Sequence, residues 1–289
     1  MFRVRVSVRK FTTALLASLA LLPALAIEQE LQLDHRMNEH IVQVPAGDDG
    51  RAMLETTVFQ PNGPGPFPLL IINHGKDPGR PNAQPRDRFY YMAAAFVKRG
   101  YAVMVPMRQG FANSTGYYRD RGCDMTANGY LQAEDIRSTV DYARGQRWID
   151  AGHIVVAGQS YGGLATMALG TEELPGVRGL INFAGGLRDD SDRCAWRSAL
   201  VAAFGEYGAK SKVPSLWMYG ENDSLFGPDL ANRLHAAYEG RRRPRAPGRI
   251  PVVQARCPRH AGQPRRREDL AERHHALPEG RRHADRSAL

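Results

Sequence analysis

After its N-terminal apolar stretch the chain has no further apolar run of membrane-spanning length, no internal repeat, and no excess of either charge over its first 240 positions. Each absence removes a class of protein. Without a further apolar run of spanning length the body is not threaded through a membrane, and without a repeat it is not an array of stacked units. Residues 1–240 carry 25 Lys+Arg and 25 Asp+Glu, so the whole net charge of +9 rests on residues 241–289, with 14 Arg, no Lys and 5 acids. The basic balance therefore says nothing about the body and gives no ground for nucleic acid as its partner. Cysteine is scarce too: Cys123 and Cys194 in the body, Cys257 in the basic tail. What remains is long enough for one large α/β domain with a full core, or at most two small ones.

The N-terminus has the layout of an export signal. Arg3, Arg5, Arg9 and Lys10 precede the apolar Phe11 to Leu22, and Pro23-Ala24-Leu25-Ala26 offers an A-x-A cleavage site. Residues 1–26 are thus expected to be a signal peptide and the mature chain to begin near Ile27, periplasmic or secreted and free of the membrane. The alternative is an uncleaved anchor, for which the apolar part is short. No twin-arginine pair is present, which points to the general export route. In an oxidising compartment Cys123 and Cys194 are expected to pair as a disulfide that braces long loops near the active face.

Along the body, Ile41 to Val44 and Ala52 to Phe59 alternate as antiparallel edge strands do. Five short, nearly continuous apolar runs follow: Leu69–Ile72, Tyr101–Val105, Ile154–Val156, Leu180–Phe183 and Leu216–Tyr219. Such runs suit strands covered on both faces. Between them lie helical stripes, Phe89, Met92, Ala93, Phe96 and Val97, then Ala133, Ile136, Val140 and Ala143 with Glu134, Asp135, Arg137 and Asp141 on the outer side. Alternation of this kind predicts a doubly wound, mostly parallel α/β sheet with helices on both faces, its ligands beyond the carboxyl ends of the strands.

One stretch organises the chemistry. Gly158-Gln159-Ser160-Tyr161-Gly162-Gly163 stands between the run Ile154–Ala157 and a helical segment, Leu164 to Leu169. Strand, G-x-S-x-G, helix is a nucleophile elbow, in which a sharp turn lifts the serine clear of the sheet. A serine hydroxyl needs a histidine to take its proton and a carboxylate to orient that histidine. Asp223, in the loop Gly220 to Leu225 after a later strand, is the expected acid, with Glu221 as competitor. The oxyanion needs two backbone N–H groups. Tyr161 supplies one, and the loop Asn73-His74-Gly75-Lys76 supplies the other through the Lys76 amide. His74 precedes the nucleophile, so it reads as structural rather than as the base. No cofactor and no metal is called for.

These stretches resemble the α/β-hydrolase superfamily, and within it the dienelactone-hydrolase and prolyl-oligopeptidase-like branch. The likeness rests on Asn73-His74-Gly75, Gly158 to Gly163, Gly220 to Asp223 and the run Pro106 to Gly116, which is similar to the branch's R-G-x-G-x-S-x-G with Gln109 intruding. It covers about residues 50–240 and implies a serine hydrolase acting on a small-molecule ester through an acyl-enzyme. Dienelactone hydrolases proper carry cysteine where this chain has Ser160, which favours a general esterase, with a peptidase or amidase of the same branch as the alternative. Tyr117, Tyr118, Arg119 and Arg121 could line a pocket and Arg108 could hold a carboxylate, although solvated loop residues are the simpler reading. Leu187 to Trp196, with Asp189, Asp190 and Asp192, reads as a cap.

After Gly240 the character changes to Arg, Pro, Gly and His. The resemblance calls here for a strand, a loop with the catalytic histidine and a closing helix. His260 is the one histidine at a suitable distance; His274, His275 and His283 lie in a charged stretch. Three readings stay open: a working tail with His260 as base, leaving a catalytically silent binding protein where it fails; a basic tail for nucleic acid; and a segment read out of frame. Shifted by one nucleotide, synonymous codons permit Ala-Glu-Phe over Gly248 to Ile250 and Asp-Ala-His-Gly over Arg256 to Arg259, a strand end and a histidine loop at the expected spacing.

Overall fold

The computed structural model of the protein describes residues 33–47, 49–189, 191 and 193–240, and residues 252–255 in backbone alone. The expected signal peptide, Cys257, His260, and Asp190 and Asp192 of the expected cap lie outside the described residues. Eight strands and five α-helices are described: β1 His40–Ala46, β2 Ala52–Phe59, β3 Phe67–Asn73, α1 Tyr90–Val97, β4 Ala102–Pro106, α2 Met125–Arg144, β5 Ile149–Gln159, α3 Tyr161–Leu169, β6 Val177–Phe183, α4 Trp196–Lys210, β7 Ser215–Gly220, α5 Pro228–Gly240 and β8 Val252–Ala255. No described helix is long and apolar enough to cross a membrane.

The strands form one sheet in the order β1-β2-β4-β3-β5-β6-β7-β8. The alternating segments at the N-terminal end pair antiparallel, β1 with β2 and β2 with β4. All the apolar runs pair parallel, β4 with β3 and then β3 through β7. The sheet also continues past Gly240, because β8 pairs parallel with β7, Trp217 opposite Val252 and Gly220 opposite Ala255.

Side chains alternate across a strand, and the core divides accordingly. Leu69, Ile71, Met104, Ile154 and Val156 face α2, α3 and α4, whereas Leu70, Ile72, Val103, Val105 and Ala157 face Ala93 of α1. Ala133, Ile136, Val140 and Ala143 of α2 are buried as the stripe predicts. Asp135 departs from the expectation, being buried rather than solvated. The loop after β4 folds over that side of α2, and Asp135 accepts both the main-chain N–H of Gln109 (2.8 Å) and its side-chain Nε2 (2.7 Å).

The topology decides where a site forms. From β3 the chain steps to β4 on one side and later returns to β5 on the other. At such a reversal the loops leaving two adjacent strands diverge and open a crevice at their carboxyl ends. Here those loops are the one after β3, starting at His74, and the one after β5, which is Ser160.

Candidate active site

Ser160 joins β5 to α3 with φ 52° and ψ −120°, a conformation that an L-residue adopts only under constraint. The constraint is visible in its own peptide groups. Its N–H donates to Phe183 O (3.0 Å), and its carbonyl accepts from Gly163 (2.9 Å), Leu164 (3.1 Å) and Gly186 (3.0 Å). The tight turn also needs bare α-carbons on either side. A Cβ at Gly158 would fall 2.1 Å from Gly162 O, and one at Gly162 would fall 2.3 Å from Asn73 O. Asn73, wholly buried, ties the three elements together by donating to Ala157 O (2.9 Å) and Thr166 Oγ1 (3.3 Å).

The β3 loop lies directly against the serine: a Cβ at Gly75 would be 3.2 Å from Ser160 Cβ. Lys76 follows, its Nζ 5.7 Å from the centre of the Tyr118 ring. Tyr161 is the first residue of α3, so its N–H has no carbonyl a turn earlier within the helix to bond, and the helix dipole makes that end attractive to negative charge.

His74 is wholly buried, and both its ring nitrogens are committed to the backbone. Arg108 N–H donates to Nε2 (3.0 Å), so the proton is on Nδ1, which meets Gly75 O at 2.6 Å. Burial first, and then the Arg108 cation, hold its pKa well below the usual histidine range. A neutral imidazole with both nitrogens engaged cannot shuttle a proton for Ser160, in line with the structural role expected of it.

Asp223 sits half-buried between β7 and α5, its N–H on Gly220 O (3.1 Å) and its Oδ1 accepting from Leu225 N (2.8 Å) and Phe226 N (2.9 Å). It leaves the same sheet edge as Ser160, two strands away, which is about 10 Å at ordinary strand spacing. Behind this edge Tyr219 donates to Gly185 O (2.7 Å) and accepts from Asn182 Nδ2 (3.2 Å), which fixes the loop leaving β6.

Cys123 and Cys194 form a disulfide, Cα to Cα 5.5 Å, tying the chain just before α2 to the chain just before α4. Of the residues after the arginine–glycine loop, Tyr118 packs beside the Lys76 ammonium and the Phe111 ring. Tyr117 and Arg119 instead border a cleft of about 230 Å³ with Gly47, Gln109 and Glu134, where Arg119 pairs with Glu134 at 3.0 Å. Arg108 overturns both readings offered for it, since it is 0 % exposed and neither solvated nor open to a substrate carboxylate. Periodicity gives no warning of a charged residue in the core; the only signal was its place in the Pro106–Gly116 run. Among the described residues no cluster of three or more His, Cys, Asp or Glu could hold a metal ion.

Against known proteins, residues 49–189, just under half of the chain, match the model of the X-Pro dipeptidyl-peptidase family S15. No curated protein matches the sequence. Among solved structures, an esterase of Pyrococcus furiosus superposes with a TM-score of 0.56 at 15% identity, covering 77% of this chain and 84% of that one. Est1E from Butyrivibrio proteoclasticus, solved with ferulic acid bound, gives 0.53 at 18% identity over 74% and 89%. A putative dienelactone hydrolase from Klebsiella pneumoniae gives 0.51 at 14% over 76% and 85%. The chain has the α/β-hydrolase fold. Ser160 occupies the turn after β5 and Asp223 the turn after β7.

Proposed function

We propose that the protein is a serine hydrolase that cleaves carboxylic esters through an acyl-enzyme. The observation that carries the reading is the constrained backbone of Ser160, held by four main-chain hydrogen bonds at the open edge of the sheet with Gly75 packed against it. Ser160 Oγ attacks the ester carbonyl carbon while a histidine takes its proton. The oxyanion is received by the N–H groups of Tyr161 and Lys76. Collapse expels the alcohol, which regains the proton from the imidazolium, and water repeats the sequence to free the acid. Asp223 orients the imidazole, and the base is assigned to His260, the first histidine after β8.

The substrate is a small-molecule ester, and the mature chain works outside the cytoplasm, periplasmic or secreted. The charged-then-apolar leader supports export, as does a disulfide in a chain with so few cysteines. The likeness of residues 49–189 to a peptidase family favours a second reading, hydrolysis of amide or peptide bonds by the same machinery.

The test pairs fluorophosphonate labelling with turnover of p-nitrophenyl butyrate and of an X-Pro p-nitroanilide. Ester turnover should exceed anilide turnover, and Ser160→Ala should abolish labelling and lower kcat by about 10³-fold or more. A folded full-length chain that neither labels nor turns over either substrate, and stays inert when its last codons are moved to the neighbouring frame, sinks the reading; faster anilide cleavage replaces it with the peptidase one.

A further inference from the structure

The loop that faces Ser160 is gripped from behind by a cation that acyl transfer itself does not use. Arg108 follows β4 and is completely buried, yet its donors go to neutral acceptors. Nη1 donates to His74 O at 2.6 Å, Nη2 to Gly75 O at 3.4 Å and Nε to Gln132 Oε1 at 2.8 Å. Its own main-chain N–H holds His74 Nε2 at 3.0 Å. Gly75 O also meets His74 Nδ1–H at 2.6 Å and Gln84 Nε2 at 3.5 Å. Three side chains thus converge on one carbonyl. Burial lowers the guanidinium pKa to about 10, so it stays charged at neutral pH, flanked by the rings of Phe111 and Tyr161 at 5.4 and 5.5 Å.

A Cβ at position 75 would press on Ser160 Cβ at 3.2 Å and displace the Gln159 side chain, whose Oε1 lies 2.6 Å away, so the site favours glycine. That preference creates a weakness, since the peptide after a glycine turns over easily. In a planar trans peptide the N–H points opposite to the C=O. Drawing Gly75 O into the interior therefore directs the Lys76 N–H outward, and releasing that oxygen lets the amide turn away. We propose that Arg108 is a positioning residue that locks the Gly75–Lys76 peptide with its N–H presented to the ester oxyanion at Ser160. This rests on the acyl-transfer reading for its consequence, though not for its geometry. The planar fork is what the task requires, because it reaches two successive carbonyls and Gln132 at once, whereas an ammonium cannot.

The experiment compares Arg108→Met and Arg108→Lys with the wild type in the full-length chain, by crystal structure and by p-nitrophenyl butyrate kinetics. Rates are divided by the concentration of sites that react with fluorophosphonate, so that partial misfolding does not count as lost chemistry. In Arg108→Met the Gly75 carbonyl should leave its inward orientation, with kcat per site falling about 10²-fold, as for loss of one oxyanion donor. KM should stay within about twofold, since the ground-state ester makes little use of that N–H. Arg108→Lys should recover part of the rate. A Gly75 carbonyl still pointing inward in Arg108→Met overturns the proposal whatever the activity, as does a rise in KM with kcat unchanged. Should Arg108→Met fail to fold, Gln84→Leu removes a donor from the same carbonyl and should lower kcat per site in the same direction with KM held; an unchanged kcat there counts against the lock. A turned peptide in the variant beside a wild type inert to esters in either frame of its tail leaves the lock standing and removes the acyl-transfer reading instead.

Discussion

Asp87 lies close to Asp77, Arg108 and Gln84, near the loop after β3. Burial first, and then the charge of Asp77, push its carboxyl up to about 6, against weaker opposition from Arg108 and a hydrogen bond from Gln84. A group that binds its proton more tightly folded than unfolded stabilises the fold when protonated. That contribution is complete below the unfolded value near 3.8 and is lost as pH rises through 6. At pH 7 the folded chain therefore carries an ionised carboxylate it disfavours by on the order of 2–3 kcal/mol. Asp87→Asn should raise the urea midpoint at pH 7 and leave it unchanged well below pH 3.8, where the carboxyl is neutral in both the folded and the unfolded chain. Equal midpoints at pH 7 would show that solvent relaxes around the charge. Asp87, Asp135 and Arg108 share one lesson in legibility. Ser160, Gly158 and Gly162 could be read because their geometry demands particular residue types at fixed spacing. A buried ionisable group is defined by partners far away in sequence, such as Gln109 for Asp135 or His74 for Arg108, and no local pattern encodes that.

Among the elements, the five apolar runs became β3 to β7 because strands covered on both faces must be apolar throughout. Of the alternating pair, β1 at the sheet edge keeps one face less covered, whereas β2, paired on both edges, is buried on both faces from Leu54 to Phe59. The strand β8 gave no such signal, since Val252 to Ala255 is short and surrounded by Arg and Pro, and it is defined by pairing with β7. Helix α2 carried its stripe openly and is capped at its start by Asp124, whose Oδ1 accepts Ala127 N–H at 2.9 Å. Immediately before that cap stands Cys123, joined to Cys194 across 71 residues of sequence. A link closing so long a loop removes much freedom from the unfolded chain, and replacing both cysteines by serine should cost about 2–4 kcal/mol. Urea denaturation reads this directly: the wild type in dithiothreitol should fall to the midpoint of the double-serine variant, which itself should not respond to the reductant. A wild type indifferent to reduction would mean that packing of α2 against α4 alone holds those ends.

At the scale of the whole molecule the proposed acyl transfer needs a base that reaches both Asp223, after β7, and Ser160, after β5. Asp223 and Ser160 share an edge at a separation of about 10 Å, and Ala255 ends β8 level with Gly220 on that edge. His260 comes five residues later, within an extended reach of about 17 Å. We therefore expect His260→Ala to lower kcat on p-nitrophenyl butyrate about 10³-fold or more with KM nearly unchanged, slowing fluorophosphonate labelling to match. A chain ending at Ala255 should lose the same rate while keeping its cooperative urea transition, because the described core lies before that point. His274→Ala and His275→Ala, in the charged stretch, should leave the rate alone. The opposite pattern is equally readable. If the full-length chain denatures cooperatively but is inert, and the same gene with its last codons moved to the neighbouring frame turns ester over, the Arg- and Pro-rich tail is an out-of-frame product. His260 then drops out, while the reading of Ser160, Asp223 and the peptide held by Arg108 stands on the part of the chain before Gly240.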